Sequence, residues 1–128
     1  MNINGPKGAT HPANLIADAA IKKGHAIKRG TDVEHATTAT AGSANLGIAT
    51  DDQDTAGRTF PYAYRAGERV SAVAGAAFNA DAYLKSDANG KLITAATGDY
   101  ATAIAREAAT ADTDIVCVEL LPYGTKAP

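Results

Sequence analysis

Tryptophan is absent from this chain, cysteine occurs once, at Cys117, and phenylalanine only at Phe60 and Phe78. A single cysteine excludes an intrachain disulfide framework. Clustered Lys and Arg are also missing. The net charge is −2, and the one short basic cluster, Lys22-Lys23 to Lys28-Arg29, is flanked by Asp18 and Asp32. Phosphate neutralisation needs concentrated positive charge, so nucleic acid is not expected as a partner. No apolar run approaches the roughly 20 residues of a membrane helix, so no membrane partner is expected. The opening residues, Met1 to Gly8, have neither a basic nor an apolar block and do not read as a signal peptide. Synthesis and retention in the cytoplasm, or in something assembled there, is the expectation.

Large side chains are scarce as well, since alanine supplies most of the hydrophobic fraction. Alanine buries little area, and apolar burial stabilises by only about 25 cal/mol per Å². A small domain with so thin an interior is marginal alone, which points to association with other subunits or a larger surface.

What the chain does have is repetition. The first copy runs His25 to Gly30, Leu46 to Ala49 and the polar turn Asp51 to Gly57; the second runs Ala82 to Asp87, Ile93 to Thr97, Thr102 to Ala105 and Ala111 to Asp114. Each copy supplies short strands and tight turns, and neither is large enough to bury a core alone. Around this frame, Gly5, Pro6, Gly8 and Pro12 make residues 1–14 an extended N-terminal arm. Leu15 to Ile21 reads as extended rather than helical. Arg29-Gly30-Thr31-Asp32 turns a hairpin between Ala26 to Lys28 and Val33 to Ala36. Phe60, Tyr62 and Tyr64 alternate on one face of a strand that Pro61 confines to an edge or an end. Arg69 to Ala74 is a further strand. Asn89-Gly90 turns a second hairpin between Tyr83 and Thr94. Tyr100 to Glu107 is assigned to strand over helix because of its place in the repeat. Ile115 to Leu121 is the most β-prone run, and Pro122 stops it. Residues 123–128 form a free C-terminal tail. The expected fold is all-β: a small barrel or sandwich of two pseudo-repeated strand-turn units, a single β domain over 15–122 with an extended arm at each end.

No catalytic constellation emerges. His11, His25 and His35 lack metal-ligand spacing. Cys117, between Val116 and Val118, reads as a structural thiol in a buried strand. Asp51, Asp52, Asp54 and Gly57 suggest a calcium loop, but counting from Asp52 the twelfth place is Ala63 rather than Glu, so a solvated turn is favoured. Gly42-Ser43-Ala44 lacks the nucleophile elbow, and no phosphate-cradling glycine pattern occurs. A non-enzyme without cofactor or metal is expected. A small hydrolase would need His25 or His35 beside a carboxylate in a pocket. A carbohydrate- or surface-binding module would need Tyr62, Tyr64 and Tyr83 along one groove.

The succession Lys22 to Gly24, Leu46 to Gly57, Gly67 to Val70, Asp87 to Lys91, Ile104 to Ala109 and Ile115 to Leu121 resembles the small capsid cement, or head decoration, proteins of tailed bacteriophages. The resemblance covers roughly residues 20 to 121. One departure is Asn79-Ala80-Asp81-Ala82, where a glycine-containing turn is expected. The resemblance implies a virion structural protein on the outer capsid surface, made in the bacterial cytoplasm. Such a protein would clamp neighbouring major capsid protein subunits and assemble as a homotrimer. Pro6, His11, Pro12, Leu15, Pro122 and Tyr123, at the roots of the two arms, are the expected contacts to the capsid or to sister subunits.

Overall fold

The computed structural model describes residues 14–128, and they contain ten strands and no helix. The strands are β1 (Asn14–Ala17), β2 (Ala26–Arg29), β3 (His35–Thr38), β4 (Gly47–Ala49), β5 (Thr59–Ala63), β6 (Arg69–Val73), β7 (Tyr83–Ser86), β8 (Leu92–Thr94), β9 (Ala103–Ala105) and β10 (Ile115–Leu120). The first five close into a barrel in the order β1-β3-β2-β4-β5. Its pairs are antiparallel except β1 with β3, which run parallel. The last five form an antiparallel sheet in the order β6-β10-β9-β7-β8. A single parallel bridge, Ala74 to Leu92, joins its two edges, so this sheet curls round into a second barrel whose closure is one bridge rather than a ladder.

Substituting β6 for β1, β7 for β2, and so on, gives β6-β8-β7-β9-β10, which is the order of the second sheet read in the opposite direction through the bridge that joins its edges, so the sequence repeat is a structural repeat. Individual hydrogen bonds repeat too. Gly24 N–H donates to the Ala49 carbonyl at 2.8 Å, and Asp81 N–H to the Ala105 carbonyl at 2.8 Å. Gly57 N–H donates to Ala17 and Thr113 N–H to Ala74, again at 2.8 Å each. The correspondence explains the two non-glycine residues with positive φ among the described residues. Asp81 (φ 68°) stands where the first copy has Gly24 (φ 83°), and Thr113 (φ 74°) where it has Gly57 (φ 86°). The turn at 79–82 therefore keeps the left-handed geometry without glycine. Aspartate tolerates that region, whereas β-branched threonine is strained there.

Two strands of the first barrel face apolar surroundings on both sides. Side chains alternate along a strand, so Ile27 and Ala49 join the first interior with Leu15, Ile21, Phe60 and Tyr62. Their neighbours Ala26 and Ile48 join Leu84, Leu92, Val116, Val118 and Leu120 in the second. The outer wall of one barrel is thus part of the core of the other. More than half of the buried apolar residues among those described are alanine, which lets the layers approach closely at a small gain per residue.

Three expectations change. Pro61 does not lie on an edge, because β5 pairs with both β1 and β4. It is tolerated because β4 ends at Ala49: the Pro61 carbonyl still accepts Thr50 N–H at 3.1 Å, and the missing donor falls beside exposed Thr50. Cys117 is half-buried on the outer face of β10, while Val116 and Val118 point inward. The tail is extended but not free. Ala101 N–H donates to Thr125 and Ala127 N–H to Asp99, both at 2.8 Å, and Ala127 is buried. The Lys126 ammonium lies 5.1 Å from the centroid of the Tyr100 ring.

Candidate contact groove

The strands of the first barrel bring four apolar or aromatic side chains to one surface groove. Leu15 comes from β1, Leu46 from the residue before β4, Tyr64 from the residue after β5 and Val33 from the β2–β3 turn. Arg29 and Tyr123 complete a lining of about 360 Å³. Val33 and Tyr123 are each 67% exposed, which is unusual for side chains of that size and leaves an apolar rim facing solvent. The floor is stiff. Tyr62 and Tyr64 pack with tilted rings at 5.2 Å between centroids, Phe60 and Tyr62 likewise at 6.1 Å. Burial, and secondarily the neighbouring Tyr64, push the Tyr62 hydroxyl up to about 12. The Arg65 guanidinium lies 5.7 Å from the Tyr64 ring centroid.

The turn carrying Val33 is held by a carboxylate–imidazole clamp. Asp18 accepts from Thr31 N–H at 2.8 Å and Thr31 hydroxyl at 3.2 Å, and pairs with His35 Nδ1 at 2.6 Å. Asp32 lies 3.7 Å from His35 Nε2 and also accepts Glu34 N–H at 2.9 Å. The hydrogen bond to Asp18 raises the His35 imidazole above its ordinary range, and the bond from His35 lowers the Asp18 carboxyl below its own. This is the histidine–carboxylate pair a hydrolase reading required. Its geometry fixes a hairpin: the hydroxyl it holds, that of Thr31, donates to the carboxylate instead of being activated by the imidazole.

Of the residues expected at a contact surface, Leu15 and Tyr123 meet at this groove although they are far apart in the chain. Leu15 is 2% exposed, so it forms the floor rather than the rim. Pro122 is exposed beside Tyr123. Pro6, His11 and Pro12 lie outside the described residues. The tyrosines divide: Tyr62 is buried, Tyr64 lines the groove and Tyr83 lies on β7 in the other barrel. In the 51–54 turn, Asp51 accepts Asp52 N–H at 2.9 Å and Asp52 accepts Lys23 N–H at 2.7 Å, so both hold backbone. Sequence reasoning missed Val33, Leu46 and Arg29, whose apolar or charged character carries no signal until the hairpins fold together.

No protein-family model and no curated protein matches this chain. Among solved structures it is similar to the head fiber gp8.5 N base in bacteriophage phi29, with a TM-score of 0.70 at 14% identity. The two share a fold. The alignment covers 89% of this chain and 96% of the other, so the shared part extends across both barrels, not one.

Proposed function

We propose that this chain is a structural protein of a phage virion that binds the outside of the assembled capsid and ties neighbouring major capsid protein subunits together. The observation that carries this reading is the likeness, over 89% of the chain, to the base of a phage head fiber. It is joined by the cement-protein pattern of turns and strands, and by an apolar groove at the roots of both chain ends. Alanine-rich interiors gain from packing against copies of the same chain, the resemblance to cement proteins implies that the copies form a homotrimer, and repetition over a lattice multiplies weak contacts by avidity. The first contact surface is the groove with its exposed Val33 and Tyr123; residues 1–12 are the second.

Co-sedimentation with empty expanded heads, alongside light scattering of the free protein, tests the reading. Binding of the intact chain and its loss on deletion of residues 1–12, with the β circular-dichroism signature retained, are expected. Tyr123→Ala is expected to weaken binding while leaving the fold unchanged. Intact protein that stays unbound on heads carrying the cognate capsid protein would overturn the reading. Sugar recognition is the competing outcome, but Tyr62, Tyr64 and Tyr83 do not line one groove.

A further inference from the structure

A second recess, of about 470 Å³, opens where the two barrels meet, and it differs in chemistry from the apolar groove. Lys22 and His25 reach it from the segment before β2, Thr38 from the end of β3, and Asn89 and Lys91 from the β7–β8 turn. Ala20, Ala39 and Ala88 fill the remaining wall, and no carboxylate lines it. We propose that this crevice binds an oxyanion, either a phosphate-type group or a carboxylate.

Three observations carry the proposal. The first is charge. Lys22 has no ion-pair partner among the described residues. Lys91 Nζ meets Asp112 at 3.0 Å, but that carboxylate is 59% exposed. A pair so open to water is weak, and an ammonium has three donors, so two remain. The second is orientation. His25 Nδ1 lies 2.8 Å from the Asn89 carbonyl. A carbonyl only accepts, so Nδ1 carries the hydrogen, and the bond holds the ring at the crevice. The third is rigidity. Asp87 Oδ1 accepts from Asn89 N–H at 2.8 Å and Lys91 N–H at 3.0 Å, which fixes the turn. Gly90 rests against Thr38 and Ala26, and Ala26 N–H donates to the Gly90 carbonyl at 2.7 Å. The imidazole and the turn are thus held by contacts between the barrels, and neither barrel alone contains the full set. Walls already fixed lower the ordering cost of binding, which is left to the exposed Lys22. The proposal stands independently of the capsid reading.

The test is a titration of the intact protein followed by amide and histidine-ring NMR signals, with inorganic phosphate in one arm, acetate in the second and sodium chloride at equal ionic strength as the control. Saturable shifts confined to Lys22, His25, Thr38, Asn89 and Lys91 are expected with at least one oxyanion. Tighter saturation by phosphate assigns the source to phosphate-type groups; equal or tighter saturation by acetate assigns it to carboxylates. Lys22→Gln, at an exposed position that leaves the fold intact, is expected to weaken binding about tenfold, the loss of one charged donor. Lys126→Gln, on the tail, is expected to have no effect. Shifts that grow linearly, that chloride reproduces, or that Lys22→Gln and Lys126→Gln alter equally would overturn the proposal.

Discussion

The two barrels have one strand order and two ways of closing. In the first, β1 and β3 zip together: Ile16 N–H donates to the Glu34 carbonyl and Asp18 N–H to the Ala36 carbonyl, both at 2.9 Å. In the second, the counterpart of the second bond is present, Gly75 N–H to Leu92 at 2.8 Å. The counterpart of the first is split. Val73 N–H donates instead to the Gly24 carbonyl at 2.9 Å, and the Gly90 carbonyl accepts Ala26 N–H at 2.7 Å. A short piece of the first barrel is thus wedged into the seam of the second. Backbone groups must be paired when buried, so the second barrel completes its hydrogen bonding only with the first in place. Around the wedge runs a polar bridge. Asn45 Nδ2 donates to Thr102 Oγ1 at 2.6 Å, and Ser86 Oγ to the Thr40 carbonyl at 2.7 Å. Duplication supplied two like units, and the difference between them makes the pair a single object.

The sharpest way to break that comparison uses equivalent core residues. Ile27 in the first barrel and Leu84 in the second are both fully buried. Each, changed to Ala, is expected to cost about 2–5 kcal/mol. If the wedge unites the barrels, both variants lower the midpoint of one shared unfolding transition in urea. Two transitions, each sensitive to one variant only, would show that the barrels unfold separately.

Next in size is the wedge itself. A Cβ at Gly90 would lie 2.7 Å from Thr38 Cγ2 and 2.9 Å from the Ala26 carbonyl oxygen, at φ 79°. Gly90→Ala combines backbone strain with overpacking and is expected to cost about 2–4 kcal/mol. Hydrogen exchange at the Val73 amide should accelerate more than at the Ile16 amide, because only the former depends on the inserted segment.

The copies can also be made more alike. Thr113→Gly restores the residue type of Gly57 at a left-handed position. It is expected to stabilise by up to about 1 kcal/mol, read as a raised urea midpoint, since relief of the side-chain strain exceeds the added entropy of glycine. A lowered midpoint would mean that Thr113 is held by contacts beyond its backbone.

The smallest effect is expected at the His35–Asp18 clamp, which the second barrel lacks. A histidine raised in the folded state contributes below its unfolded value and loses that contribution as pH rises through the folded one. A carboxyl lowered in the folded state contributes above its unfolded value and loses it as pH falls through the folded one. The clamp is therefore tightest in mildly acidic solution and slackens on both sides. Exchange protection of the Thr31 amide, compared between wild type and His35→Gln across that range, checks this. A wild-type profile as flat as the variant's would remove the clamp.

Turns and strand identities were legible because they are local. Asn89-Gly90 and Arg29-Gly30 announce hairpins through backbone freedom, and Ile115 to Leu121 announces a strand through side-chain shape. The repeat followed from the same cues. Of the candidate groove, Leu15 and Tyr123 were singled out from their places at the roots of the two ends, and the fold brings them to one surface. Its other walls were not, since Val33, Leu46 and Arg29 become neighbours only through strand pairing.

By itself, then, the amino-acid order determined an all-β chain made of two similar halves with sparse interiors, because propensity, alternation and turn chemistry act over a few residues. Tertiary structure alone decided that one half closes on itself while the other closes around a borrowed segment. It also decided that the tail is pinned at Ala127, and that lysines and a histidine from different strands frame one crevice. Those outcomes depend on hydrogen bonds and packing between residues distant in sequence, for which no local pattern carries the information.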